Sequence, residues 1–426
     1  MLARTVSVPA VTLAATTLTV AATLAAPPGV AAAGSVAHGQ VVSADPVDTT
    51  PHVLDGIVNA VTLVGGTVVV GGSFTEVREA RDSTVLERAN VFAYDLATGR
   101  IVPGFDPYLN GAVTALAAGA DGTVYAGGGF TATDGVVTRK VVRLRLSDGS
   151  PVTDFRAHAF GGSVTSLVRS GSRLYVGGDF THVGRTPRTA LARVDAVTGA
   201  VDPEFAITPG TPRGSRTKVY AMALSGSRLA VDGSFTTLDG LSRPQLGLID
   251  VGATRAKVAD WRTDAYAPSC SAAFPSYVRG LDFAPDGRYF VVVTSGGPGG
   301  PRKLCDSAAR FETHIRGETR PTWVNHTGGD SLYAVAVTGS AVYVGGHQRW
   351  LDNPAGSDSA GPGAVERPGI GAINPATGRA LSWNPTRDRG IGVKAFLAHP
   401  RGLLVGSDTI RLGREYHARI GMFPLP

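Results

Sequence analysis

Five segments of this chain are close to copies of one another. "VVVGGSFTEV" from Val68, "VYAGGGFTATDG" from Val124, "LYVGGDFTHVG" from Leu174, "LAVDGSFTTLDG" from Leu229 and "VYVGGHQRWLDN" from Val342 each read as an apolar strand running into a glycine pair or its equivalent. The first residue of that pair is Gly71, Gly127, Gly177, Asp232 and Gly345, with a further match at Gly406. One interval, from Asp232 to Gly345, is twice the others, and "YFVVVTSGG" near residue 293 fills it as a degenerate copy. Seven units at a period of about 50–60 residues result, a spacing at which chains build propellers or related arrays.

Each unit has its own internal order. In "GSVTSLVRSGSRLYVGGDFTHVGRTPRTALARVDAVTGAVDPEF" an apolar strand meets a Ser-Gly-Ser turn, a second strand, a loop, an alternating third strand, then "VTGA" and a short fourth. Turns such as "ADGT", "PDGR", "ATGR" and "SDGS" supply the positive φ that tight hairpins require. Four strands per unit make a propeller blade. The expected fold is therefore all-β: a seven-bladed β-propeller of four-stranded antiparallel blades. The 56 glycines and a charged fraction of 17% agree with many short strands and tight turns. On this reading the glycine pair lets neighbouring blades approach, and Phe74, Phe130, Phe180 and Phe235 plug the space between them. A phosphate-binding glycine loop is excluded, because no Gly-Lys-Ser/Thr follows and the next element is a strand.

The seventh unit ends at Pro426 with three strands. Residues 38–46, "HGQVVSADP", resemble fourth-strand segments such as "TGRIVPGFDP", so the N-terminal side is expected to supply the missing strand and latch the ring. An open edge there would invite association with other chains. Ahead of the latch, Arg4 precedes an apolar stretch that closes at Pro27 and Pro28 and ends in "AAA" at Ala33, the shape of a secretory signal with its cleavage site. As a membrane anchor it is short and rich in threonine. The expected organisation is a signal peptide over residues 1–33 and one propeller over 34–426. Within the propeller, 34–56 form the latch and 57–426 the repeat units. An exported chain meets an oxidising compartment, so Cys270 and Cys305, the only cysteines, are expected to form a disulfide. No metal site is expected, since neither cysteine has a second Cys or a spaced His pair nearby.

The unit "LYVGGDFTHVGRTPRTALARVDAVTGAVDPEF" resembles the delta-60 repeat of secreted bacterial β-propellers, also seen in fungal cortical-marker proteins of the Rax2 type. The block from "FAPDGRYFVVVTSGG" to "GLLVGSDT" looks like the C-terminal half of secreted actinobacterial proteins. The resemblance implies a fold and an extracellular location, and brings no catalytic residues with it.

Charge narrows the choice of partner. Residues 1–254 hold 20 Lys/Arg against 20 Asp/Glu, and residues 255–426 hold 20 against 14, so the net +6 belongs to the C-terminal part. Its basic residues are scattered, which favours an anionic ligand over nucleic acid. On the face where strands two and three connect, the loops of units two to four read as short, and those of units five to seven as long and polar. Ligand-binding candidates there are Asp330, His347, Arg349, Trp350, Asp352, Asn353, Asn384, Arg387, Asp408, Arg411 and Glu415. Each has a structural alternative. His347 can be a hydrogen-bonded scaffold residue, Trp350 either a sugar platform or the plug in place of Phe180, Arg387 part of a solvated cluster, and Asp330 a turn former. No nucleophile elbow, zincin motif or EF-hand loop is present, so catalytic residues stay unassigned and no cofactor is expected. The sequence describes a monomeric secreted binding module for a cell-envelope glycan or an extracellular protein, with no membrane span once the signal is removed. A carbohydrate-active hydrolase or lyase in the loops of units five to seven is the alternative.

Overall fold

Short turns set the strands. Between the first and second strands of successive units, Gly65, Gly122, Gly171, Gly226 and Gly287 adopt φ of 61°, 64°, 56°, 55° and 67°, a left-handed region that costs glycine little. The Val- and Leu-rich segments on either side then pair as antiparallel meanders. A computed structural model describes residues 36–426, so the expected signal peptide lies outside the described residues. Among the described residues there is no helix, and seven principal antiparallel sheets of three or four strands follow one another along the chain, with smaller two- and three-stranded sheets built by the segments between them.

The innermost strand of each sheet is its first: Ile57–Val64, Val113–Ala118, Val164–Ser170, Val219–Ser225, Val278–Phe283, Leu332–Val337 and Ala395–His399. Each touches its counterpart in the sheets before and after, and the first touches the seventh. The buried apolar side chains divide in the same way, into seven clusters that each join two neighbouring sheets, including the seventh with the first. The core of this molecule is thus a set of interfaces between sheets arranged in a ring, and the expectation of an all-β propeller holds.

Fourth strands are complete in the fourth sheet (Lys257–Val258) and the fifth (Trp323–His326). In the first, second, third and sixth sheets the fourth segment is reduced to single bridges at Ile101, Pro151, Val201 and Ala380. Pro103, Pro151 and Pro203 in three of these segments lack the amide donor that a longer ladder needs. In the seventh sheet, residues from the other end of the chain lie beside the last strand, Ile420–Pro424. The Ser43 amide donates to Pro424 O at 2.7 Å and the Val47 amide to Met422 O at 2.9 Å. Val42 and Val47 pack into the clusters on either side of that sheet, and Trp383 Nε1 donates to Ser43 O at 2.9 Å.

Cys270 and Cys305 form a disulfide, as expected, with a Cα–Cα distance of 5.7 Å. It ties the segment leading into the fifth sheet to the loop between that sheet's second and third strands, where the Gly-Gly-Phe-Thr sequence is missing. Replacing both cysteines by serine should cost about 3–4 kcal/mol of stability in denaturant titrations, the chain-entropy value for a loop of this size. Deleting residues 38–46 should lower the melting temperature well beyond deletion of residues 81–85, which are exposed. Equal tolerance of the two deletions in differential scanning calorimetry would show that residues 38–46 do not hold the seventh sheet.

Candidate functional site at the inner rim

A β-bulge interrupts the pairing of the innermost strand in the first six sheets, between Val58 and Ala60 in the first and at equivalent places in the rest. The extra residue escapes the ladder and is half-buried, on the strand nearest the ring axis. In the first three sheets it is Asn59, Thr114 and Thr165, and each is tied to the next sheet. Asn59 Nδ2 donates to Val113 O at 3.2 Å, Thr114 Oγ1 to Val164 O at 2.5 Å and Thr165 Oγ1 to Val219 O at 2.5 Å. In the next three it is Tyr220, Arg279 and Tyr333, and Lys394 takes the matching place in the seventh, its amide bonded to Gly406 O at 3.0 Å.

The rim is therefore chemically lopsided. Across the fourth and fifth sheets the Arg279 guanidinium lies 5.1 Å from the Tyr220 ring centroid, and Lys218 Nζ lies 5.4 Å from the same centroid. Across the sixth and seventh, Lys394 Nζ stands 3.4 Å from the centroid of Tyr333. Burial brings the Lys394 ammonium down to about 8, opposed by Asp408 and reinforced by Arg279 and Arg387. These four rim residues were not among the sequence candidates. Their signal was available: the residue after the first inward Val or Leu of each unit reads Asn, Thr, Thr, Tyr, Arg, Tyr, Lys.

Several sequence candidates do converge beside this arc. The Asp330 carboxylate accepts from Arg349 Nε at 2.8 Å, from the Arg349 amide at 3.0 Å and from Arg389 Nη2 at 3.0 Å. His347 packs edge-on against Tyr333, with ring centroids 5.6 Å apart. Its Nε2 accepts from the Ser331 amide at 3.2 Å and its Nδ1 lies 3.3 Å from Ile391 O, the bonding of a neutral imidazole. Burial lowers its pKa further. Asp408 accepts from the Ile391 and Gly392 amides and stands 3.7 Å from Arg387 Nη2. Arg387 itself is buried, and its guanidinium donates to the carbonyls of Asp388, Arg389 and Gly346. Far from a solvated cluster, Arg387 shapes the loop that carries Arg389. Burial brings it to about 10, and it remains a cation.

The remaining candidates lie in structural roles or apart. Asp352 accepts from Asn325 Nδ2 and from the Ala380 amide at 3.1 Å. Asn353 is fully buried and bonded to Thr327 O, Ser359 O and the Gly361 amide, holding the long insertion of the sixth unit together. Asn384 is half-buried and takes no part in the rim. Arg411 and Glu415 are exposed on a separate hairpin, where Glu415 lies 3.5 Å from His417 Nε2. Trp350 is not the plug that replaces Phe180. The Gly369 amide bonds Gln348 O as the Ala190 amide bonds Phe180 O, so fully buried Gln348 holds that position. Trp350 begins the following hairpin, half-buried, with the Arg349 guanidinium 4.3 Å from its ring.

Two buried carboxyls add to the electrostatics of this face. Asp232 replaces the first glycine of the pair in the fourth sheet; it accepts from the Ala221 amide at 2.9 Å, and burial pushes it up to about 7. Burial likewise holds Asp306 at about 7, with Ser331 Oγ at 3.1 Å from it.

The ring of meanders defines a β-propeller. A family model described as "Domain of unknown function (DUF5122) beta-propeller" matches residues 119–155 and 172–205, which lie in the second and third sheets and the segments joining them. No curated protein matches the chain. Among solved structures it is similar to the WD40 beta propeller domain of Doa1, at TM-score 0.50 and 12% identity over 90% of this chain and 96% of that one. It is also similar to the computationally designed Ika8 protein, at TM-score 0.49 and 13% identity over 90% of this chain and 100% of that one. At 12% identity the likeness to the Doa1 domain is one of fold.

Asp232 generates a pH prediction. In the unfolded chain its carboxyl ionises above about 3.8, whereas in the fold it keeps its proton until about 7. Folding takes up a proton between those values, so this group's contribution to stability falls as pH rises through that window. Asn is isosteric with the protonated acid. Asp232→Asn should match the parent near pH 4 and exceed it by about 1–3 kcal/mol at pH 8, read from urea titrations at both pH values. A constant difference across that range would show that Asp232 is ionised in the fold.

Proposed function

We propose that the protein is an exported binding module that takes an anionic, hydroxyl-rich glycan at the inner rim of its fourth to seventh sheets. The observation that carries this reading is the change of rim residue from Asn59, Thr114 and Thr165 to Tyr220, Arg279, Tyr333 and Lys394. The first three spend their polar groups on the next sheet. The latter four combine aromatic faces with cations, and among the described residues no carboxylate pairs with Arg279 or Lys394. Aromatic faces suit the C–H faces of sugars, and unpaired cations suit their acidic substituents. Export is supported by the apolar segment ending at Ala33 and by the disulfide, and the delta-60 resemblance agrees with it.

A hydrolase or lyase would need two carboxylates free to face one glycosidic bond. Asp330 and Asp408 are held by arginines and backbone amides, Asp352 by Asn325 and Ala380, and Glu415 belongs to another hairpin. That distribution favours binding over turnover.

On an array of acidic and neutral glycans, the mature protein is expected to retain acidic ones, and to lose them as salt is raised. Lys394→Ala and Tyr333→Ala should each weaken retention at least tenfold, on the order of 1.4 kcal/mol, while Thr114→Val on the opposite arc leaves it unchanged. An array without any retained glycan would refute this reading.

A further inference from the structure

The chain between the third and fourth sheets is longer than the connection between the second and third, against the sequence expectation that the loops of units two to four are short. From Phe155 to Val164 the third unit needs nine steps, whereas from Phe205 to Val219 the fourth takes fourteen. The extra length carries "TPRGSRTK", with Arg213, Arg216 and Lys218 in six residues. Together with Tyr220, Phe274 and Arg279 these residues line a pocket of about 400 Å³ between the fourth and fifth sheets. A pocket of this size falls within the range used for small-molecule recognition.

Four cations and a single acid, Asp179, line it. Asp179 is already engaged by the Ser163 amide at 2.6 Å and by Arg216 at 3.5 Å. Arg213 is a wall fastening: its guanidinium donates to Tyr266 O, Ala267 O, Pro275 O and Ser269 Oγ at 2.8–3.0 Å. The disulfide at Cys270 pins the same wall. Arg279 is steadied by Val278 O at 2.7 Å and Ser276 O at 3.1 Å, so the guanidinium is held in place before any ligand arrives. Lys218 differs from both. Its only neighbour of note is the ring of Tyr220, and among the described residues its ammonium has no hydrogen-bond acceptor and no carboxylate partner. One fixed cation, Arg279, and one free one, Lys218, therefore meet beside the Tyr220 ring, with Phe274, 40% exposed, on the same lining.

We infer that this pocket is the subsite for a carboxylated sugar residue, its carboxylate bridging Lys218 and Arg279 and its ring lying against Tyr220 and Phe274. The inference rests on the glycan-binding reading above and assigns the acidic group to a place. A preorganised guanidinium matches a carboxylate in fork geometry, and a lysine contributes a compact charge on a movable stem. A bare inorganic anion would leave most of the volume and both aromatic faces unused. Because Tyr220 and Arg279 belong to both the pocket and the rim, a glycan chain seated here continues along the rim toward Tyr333 and Lys394.

The test uses the mature protein and isothermal titration with a galacturonic acid oligomer, its methyl ester, the neutral galactose oligomer and inorganic phosphate. The acid oligomer should bind, and both uncharged forms should be at least tenfold weaker. Phosphate should fail to displace it at equal concentration. Lys218→Glu and Lys218→Gln should each lower affinity at least tenfold with circular dichroism and melting temperature unchanged, whereas Lys218→Arg retains most of it. Equal affinity for acid and ester, or equal competition by phosphate, would overturn the assignment of a carboxylated sugar. If acidic glycans still bind the Lys218 variants at full strength but are lost in Lys394→Ala, the pocket is wrong and the rim reading stands. If the parent binds no glycan at all, both fall together.

Discussion

The molecule depends on how closely one sheet can approach the next, and where a unit carries the glycine pair its first glycine settles that distance. A Cβ on Gly71 would lie 2.5 Å from Cγ1 of Val113 in the following sheet, and the same collision recurs between Gly127 and Val164 and between Gly177 and Val219. The second glycine answers to its own sheet. The bulge on the innermost strand swings a carbonyl outward, so that a Cβ on Gly72 would meet Ile57 O at 2.1 Å, with Gly128 and Gly178 in the same position relative to Ala112 and Ser163. In these three sheets the second position has room only for glycine, while the bulge sets its own side chain free toward the axis; in the fifth sheet Thr294 stands opposite the same bulge. In the first six sheets scaffold and candidate site share a single backbone irregularity, which is why the position can vary from Asn to Thr, Tyr and Arg without disturbing the ring.

Much of the fold was legible because it is written seven times over. Repetition exposed the turns, the strand order and the plugging role of Phe74, Phe130, Phe180 and Phe235, all of which are buried. The cysteine pair was legible because only one partner existed. The site was less so, for a reason visible in particular residues. Asp330, Arg387, Asp352 and Asn353 looked functional by residue type, yet a long insertion has to satisfy its own backbone and neutralise its own charges. Those side chains are what it uses. Burial and pairing of this kind are not encoded in local composition. Gln348 was overlooked for the opposite reason: an amide in a phenylalanine position does not look like a plug, and Trp350 two residues later does.

The cations show how placement decides chemistry. Arginine accounts for most of the positive charge in the C-terminal part, but Arg349 and Arg389 converge on Asp330, and Arg387 is consumed by carbonyls. Net charge alone pointed to sheets five to seven. Unpaired charge points instead to Lys394, Arg279 and Lys218, and so moves the centre of the candidate site back by one sheet.

The seventh sheet ties residues that are nearly the whole chain apart: Ser43 to Pro424 and Gln40 to Pro426. As synthesis runs from the N-terminus, residues 38–47 precede all their partners: the first, on the sixth sheet, come about 300 residues later, and the strand Ile420–Pro424 comes later still. Every other sheet can form from a contiguous stretch of a few dozen residues. Ring closure alone must bring together distant segments, which costs loop entropy and makes it the step most sensitive to sequence separation. Until that moment both the first and the seventh sheets present an unfilled apolar flank. The interval between the sixth sheet's folding and the arrival of Ile420–Pro424 is thus the period in which this chain is most open to joining a second copy of itself by exchanging the latch.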